Sequence, residues 1–122
     1  MSRKKILLVD DSSTALLMER MILQRDYECV EAKDGMEGLA KAAQERPDLI
    51  VLDVVMPVMD GFETCRKLRE QESTRTTPVI MVTTRGEGKN VEAGFVSGCT
   101  DYVTKPISSI ELLAKVKSCL GE

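Results

Sequence analysis

Histidine and tryptophan are absent from this chain, and aromatic residues make up only 3% of it. Without histidine most general acid–base and nucleophile-activating schemes drop out, so any chemistry has to rest on carboxylates, hydroxyls, lysine or a metal. The four cysteines, Cys29, Cys65, Cys99 and Cys119, are widely spaced with no CxxC pair. That spacing suggests neither a zinc site nor a disulfide framework, and four reduced, mostly packed thiols are expected. No apolar run approaches the ~18 to 20 residues that cross a bilayer. Residues 1–5, with the short apolar run behind them, are too brief for a signal peptide. A clustered cationic face is missing too: the formal net charge is −3 and the bases are dispersed among acids. Neither a nucleic-acid nor a membrane partner is therefore expected, and the cytoplasm is the default compartment.

The chain has 122 residues, 43% hydrophobic and 30% charged, and is expected to form one domain over 1–122 with a core of its own. Its organising stretch is 49–61 (LIVLDVVMPVMDG), in which four apolar residues run into Asp53 before Pro57 and Asp60-Gly61 turn the chain. A short unbroken apolar run of this kind reads as a strand buried on both faces. Residues 5–9 (KILLV) form a second such strand ending in Asp10-Asp11, and 78–82 (PVIMV) a third ending in Thr83-Thr84. Segment 27–32 (YECVEA) alternates as a strand nearer the sheet edge, and 101–104 (DYVT) is a short strand before Lys105-Pro106.

Helices are expected between the strands, and cap signals mark their starts. Ser12 and Ser13 open a helix over 13–25, with Ala15, Met18 and Ile22 as its core stripe. Leu16 and Leu23 would then point elsewhere, either as scattered surface leucines or as a docking patch. Asp34 with Glu37 starts a helix through 44 with Leu39, Ala42 and Ala43 on its apolar face. Asp60 with Glu63 starts another from 61 to about 71 bearing Phe62, Cys65 and Leu68. The polar segment 70–77 reads as a solvated loop, and 85–89 (RGEGK) as flexible ahead of a weak helix over 90–97 that Gly98 stops. Ser108 with Glu111 caps a last helix to 120, with Ile110, Leu113, Val116 and Leu120 near its inner face. Five strands alternating with five helices imply an α/β, doubly wound, five-stranded parallel sheet with helices on both faces.

In such a sheet every strand's carboxyl end lies on one edge, so Asp10, Asp11, Asp53, Thr83 and Lys105 can converge although they span the chain. Three carboxylates packed together repel, and burial raises their pKa further, a conflict that a divalent cation resolves. A donor set of oxygens alone suits Mg²⁺. A metal beside a carboxylate, a lysine and a hydroxyl is a phosphoryl-transfer arrangement, with Asp53 attacking phosphorus and Lys105 and Thr83 contacting the phosphoryl oxygens.

The segments VDDS (9–12), LDVVMPVMDG (52–61), Thr83-Thr84 and DYVTKP (101–106) stand in the order and spacing of a known set of signatures. Over essentially its whole length the chain resembles a response-regulator receiver domain of the CheY-like type, with its flavodoxin-like fold. The resemblance implies Asp53 as phosphoacceptor, Asp10 and Asp11 with Asp53 holding Mg²⁺, and the Val55 backbone carbonyl as a further ligand. It implies Thr83 and Lys105 as phosphate contacts, Tyr102 as the aromatic whose side chain moves with Thr83, and a cis bond at Lys105-Pro106. The phosphoryl donor it implies is a histidine kinase or phosphotransfer protein. The readout is a downstream target protein bound at the face of the fourth helix, fifth strand and fifth helix. A monomer or weak dimer that catalyses only its own phosphorylation and dephosphorylation is expected. Val55 cannot hydrogen-bond an attacking water, and Thr84 is bulkier than the Ala or Gly frequent there, so both are expected to slow loss of the phosphoryl group.

A stand-alone receiver of the CheY type, in chemotaxis or motility control, is the leading expectation. A receiver cut from a longer regulator or hybrid kinase is the alternative. A flavodoxin-like FMN carrier is more distant, because no hydroxyl-rich phosphate loop follows the first strand and few aromatics exist to stack on a flavin. An aspartate-nucleophile phosphatase of the dehalogenase type lacks its DxD spacing after Asp53.

Overall fold

The computed structural model describes residues 3–84 and 88–122. Along the chain come β1 (Lys5–Val9), α1 (Ser13–Leu23), β2 (Glu28–Ala32), α2 (Gly35–Glu45), β3 (Leu49–Asp53) and α3 (Gly61–Glu70). A 3₁₀ turn (Glu72–Thr74) follows, then β4 (Val79–Thr84), α4 (Gly88–Ser97), β5 (Asp101–Lys105) and α5 (Ser109–Cys119). The five strands form one parallel sheet in the order β2-β1-β3-β4-β5, the doubly wound architecture expected. The chain reverses its direction of winding at β1, so the crevice between the ends of β1 and β3 is the switch point where such sheets bind ligands. Asp10 and Asp53 sit on its two sides.

Alternation along the strands splits the core into two layers. Leu7, Val9, Ile50, Leu52, Val79 and Met81 face one side, with Ala42, Cys65 and Leu68 of α2 and α3. Ile6, Leu8, Val51, Ile80, Val82 and Val103 face the other, against Leu16 and Leu23 of α1 and Leu112 and Val116 of α5. Side chains packed on both faces are why the central strands read as continuous apolar runs.

The cap signals act as expected: Ser12, Asp34, Asp60 and Ser108 accept from the N–H groups of Ala15, Glu37, Glu63 and Glu111 at 3.2, 2.8, 2.9 and 3.3 Å. Helix phase is where the expectations fail. On α1 the buried stripe is Leu16, Glu19 and Leu23, whereas Met18 is exposed and Ala15 and Ile22 are half-buried. Leu16 and Leu23 are therefore core residues, neither scattered on the surface nor part of a docking patch. A buried acid at the centre of the stripe disguised it. On α5 Leu112 and Val116 go inward and Ile110 is 82% exposed, so Ile110 does not belong to the inner face. On α2 Ala42 is buried but Ala43 is exposed.

The polar segment after α3 is not wholly solvated either. Thr74 is fully buried, donating to the Leu68 carbonyl at 2.5 Å. Its own carbonyl accepts from Arg69, which also donates to the carbonyls of Thr77 and Gly98 and so ties α3 to the loops around it. The glycine-rich stretch expected to be flexible lies, for 85–87, outside the described residues. In α4, Gly94 serves packing: a Cβ there would stand 3.0 Å from Met81 Sδ and 3.3 Å from Cys99 Sγ. Gly98 ends the helix at φ +107°, a conformation that favours glycine.

Two residues shape the loop after β3. Val58 holds φ +70° with a fully exposed side chain, a left-handed conformation that costs a β-branched residue about 1–2 kcal/mol. Gly61 donates its N–H to the Val54 carbonyl at 2.8 Å, and its missing side chain leaves room for β3 itself. An added Cβ would meet the Asp53 carbonyl oxygen at 2.4 Å and Val54 Cα at 2.8 Å. Both atoms are backbone and cannot swing aside. Gly61→Ala is therefore expected to destabilise the chain by about 1–3 kcal/mol, as overpacking does, and to displace the end of β3. Urea melts would read the first effect, and amide chemical shifts at 52–55 the second.

Candidate functional site

The carboxyl end of the sheet collects what the sequence placed there. Asp10 follows β1 and is fully buried, Asp53 ends β3 at 4% exposure, and Asp11 is exposed beside them. One carboxylate oxygen from each lies within 4.8 Å of the other two. Lys105, at the end of β5, brings its ammonium to 3.2 Å from Asp53 Oδ1. Thr83 on β4 is 2% exposed and lies one residue past Val82, which pairs in register with Asp53. Val55 is 66% exposed on the loop leaving Asp53, and Thr84 is exposed at the end of β4, in register with Lys105. Tyr102 lies half-buried on β5, and Lys105-Pro106 is cis.

The electrostatics are those of negative charge held out of water. Burial, then the charge of Asp10, pushes Asp53 up to about 6, against the lowering pull of Lys105. Burial also raises Asp10, although its Oδ1 accepts from the Ser12 N–H at 2.9 Å. For Lys105 burial pulls the pKa down, but the charges of Asp53 and Asp10 outweigh it and leave the pKa above the ordinary lysine value. Two polar atoms at this edge, Asp10 Oδ2 and Thr83 Oγ1, are buried with no hydrogen-bond partner among the described residues. Buried polar atoms are almost always satisfied. A bare carboxylate oxygen on a member of an acid cluster fits a hard cation, and a bare hydroxyl at the same sheet edge fits an anionic oxygen.

Sequence reasoning missed Glu19. It is 1% exposed on the inner face of α1, and neither carboxylate oxygen has a partner among the described residues. Burial first, then the charges of Asp10 and Asp53, push it up to about 8, with Lys105 opposing. Its signal was there in the 16, 19, 23 spacing with two leucines, once an acid is allowed in a core stripe.

The response regulator receiver domain family matches residues 6–117. The chain belongs to that family. Among relatives, this receiver is 44% identical over 116 residues to the response regulator PleD of Caulobacter vibrioides, covering 93% of this chain and 25% of PleD. It therefore spans only a quarter of that protein's length. The chemotaxis protein CheY4 of Vibrio cholerae superposes at TM-score 0.92 with 38% identity, covering 98% of this receiver and 100% of CheY4. The receiver domain of the sensor histidine kinase PA1611 from Pseudomonas aeruginosa PAO1, with a magnesium ion coordinated in its active-site cleft, superposes at 0.91. That pair is 29% identical and covers 99% and 100% of the two chains. Among the described residues no helix of this receiver is long and apolar enough to cross a membrane.

Glu19 is expected to make the stability of this receiver depend on pH. Its folded pKa, about 8, lies above the ordinary value of 4.5, so the folded chain binds the proton more tightly than the unfolded one. The stabilisation conferred by that proton is complete below about pH 4.5 and is lost progressively as pH rises to about 8. Glu19→Gln, which cannot ionise, should lack this slope. Urea midpoints of the two proteins at several pH values would show it, and parallel curves across that window would refute it.

Proposed function

We propose that this receiver accepts a phosphoryl group on Asp53 from a phosphohistidine of a partner kinase or phosphotransfer protein. The observation that supports it best is the pairing of a buried carboxylate with Lys105 at 3.2 Å, beside a buried hydroxyl that has no partner among the described residues. Asp10, Asp11, Asp53 and the Val55 carbonyl would hold Mg²⁺, as the bare Asp10 Oδ2 and the all-oxygen donor set favour. When bound, the cation neutralises charge on the acids and on the transferred group.

The chain's own residues do the rest. An oxygen of the Asp53 carboxylate attacks phosphorus; the new O–P bond forms as the P–N bond to the donor imidazole breaks, and that nitrogen keeps the electron pair. Asp53 has to be ionised to attack, and Lys105 favours the ionised form by opposing the effect of burial. As charge moves onto the phosphoryl oxygens, the Lys105 ammonium shifts toward them and Thr83 Oγ1 donates to one of them. Drawing Thr83 toward the phosphoryl group vacates space on its side of the sheet. Tyr102 then turns in, which alters the α4–β5–α5 face offered to a target protein. The chain acts catalytically on itself alone.

A stand-alone messenger in chemotaxis or motility is one setting for this chemistry, favoured by the overlap with the whole of CheY4. The receiver module of a longer regulator or hybrid kinase is the other, favoured by the match to a quarter of PleD and to a kinase's receiver domain.

Intact-mass analysis after incubation with Mg²⁺ and a small phosphodonor should show one added phosphoryl group on the wild type and none on Asp53→Asn. An unmodified wild type would refute the reading. The lifetime of the product carries a second prediction. Val55, 66% exposed where it flanks the phosphoacceptor, cannot orient an attacking water. Val55→Asn should hasten loss of the phosphoryl group by about two- to tenfold, the range a single neutral hydrogen bond supplies. An unchanged or slower rate would discount the role of this position.

A further inference from the structure

β5 pairs only with β4 among the described strands, so its other side is a free edge. Free edges expose unpaired N–H and C=O groups and are normally protected. At Tyr102 the protection is specific. Its N–H donates to Asp101 Oδ1 at 2.8 Å, and its carbonyl accepts from the Lys115 ammonium at 2.5 Å. Lys115 also stands 3.3 Å from that same Asp101 oxygen, closing a ring of contacts on the edge.

Lys115 does one thing more that edge protection does not require. Its ammonium lies 4.5 Å from the centroid of the Tyr102 ring, in cation–π range. The register sets Tyr102 beside Met81, and its ring packs with the α2–α3 core layer. α5 packs against the opposite layer, so the Lys115 side chain reaches around the edge strand to meet the ring. Phe95 of α4 meets the ring edge-on at 6.1 Å and 89°. Tyr102 is thereby gripped by residues from both neighbouring helices.

Thr83 lies two residues beyond Met81 on β4 and so projects from the same sheet face as Tyr102. An inward turn of the ring toward Thr83 breaks the contact with the Lys115 ammonium but leaves the backbone contacts in place. We propose that Lys115 is a positioning residue that latches the Tyr102 ring in its resting orientation and so sets how readily the α4–β5–α5 face switches. This rests on the roles of Asp53 and Tyr102 given above. A salt bridge to Asp101 alone would be worth little at this exposure. The ring contact is what couples Lys115 to switching.

With no tryptophan and two tyrosines in the chain, labelled tyrosine ring resonances report Tyr102 directly, and Tyr27→Phe assigns them. The full chain would be titrated with Mg²⁺ and beryllofluoride, a phosphoryl mimic, as wild type, Lys115→Gln and Lys115→Arg. Gln keeps a donor for the carbonyl while removing the cation; Arg keeps the cation. The wild-type ring resonances should move on saturation. In Lys115→Gln without the mimic they should already lie part-way along that path, and the mimic should bind about two- to fivefold tighter, since coupling is reciprocal. Lys115→Arg should follow the wild type. A thermal melt of each variant checks folding, and Lys115→Met replaces Gln if the latter is unfolded. If the wild-type resonances do not respond to the mimic, the reading of Asp53 and Tyr102 fails and the latch with it. If they respond but the uncharged variant matches the wild type in ring position and mimic affinity, the latch alone is overturned.

Discussion

Three carboxylates and one ammonium at a single edge of a parallel sheet are the constraint on which the rest of this structure depends. Two of those acids are buried, and burial of like charges costs several kcal/mol unless something neutralises them. The topology makes the crowding unavoidable: parallel strands deliver their carboxyl ends to the same side, and the reversal of winding at β1 leaves a crevice between Asp10 and Asp53. The surrounding loops are shaped to keep the crowd in place. Gly61 lets α3 begin against the backbone of Asp53, with no room for a side chain. Val58 holds a left-handed conformation unfavourable to valine so that the loop can close. Strain of this kind persists where packing over-determines it, and it gathers around functional sites.

Glu19 extends the same electrostatics into the core. It lies between Leu16 and Leu23 on α1, where an apolar side chain would pack without loss, and neither oxygen finds a partner among the described residues. Burial pushes its pKa up to about 8, so that below that pH it adds no charge behind Asp10 and Asp53; ionised, it would raise both. The field at Asp53 is thus tied to the protonation of a residue on a different element. Arg20 beside it pairs outward with Glu31 at 2.8 Å, so the cation nearest in sequence is already engaged.

The strands, the caps and the gathering of acids, hydroxyl and lysine at one sheet edge were legible because each leaves a local mark. A buried parallel strand is an unbroken apolar run, and an acid or hydroxyl directly after it is conspicuous, as at Asp10, Asp53 and Thr83. Caps are equally local, a side chain and an N–H three residues apart. Helix phase is not local. On α1 the pattern Ala15, Met18, Ile22 competes with Leu16, Glu19, Leu23, and the apolar reading prefers the wrong one because tertiary packing has placed an acid inside. Ile110 misleads in the same way on α5, where Leu112 takes the core position. Thr74 sits in a polar segment and is buried because two carbonyls and Arg69 give that segment a tertiary purpose. The meeting of Lys115 with Tyr102 had no trace in sequence, since it depends on a side chain passing around the free edge of the sheet.

The proposed switch at Tyr102 would need both orientations within reach, which limits how strongly either can be held. The phosphoryl group can shift the balance only by what it adds in one state and not the other. In the proposed switch its differential contact with Thr83 would be one charge-assisted hydrogen bond, worth about 1.5–3 kcal/mol. A resting contact of that size or larger would leave the ring where it is even after phosphorylation. A cation–π contact at a partly exposed site is worth about 0.5–1 kcal/mol, enough to bias the ring outward and small enough for Thr83 to overcome. The other contacts of Lys115, to the Tyr102 carbonyl and to Asp101, fall on groups that would stay put in the proposed turn of the ring. They anchor the lysine without adding to the barrier. That division separates the strength with which the edge of β5 is protected from the strength with which its tyrosine is held.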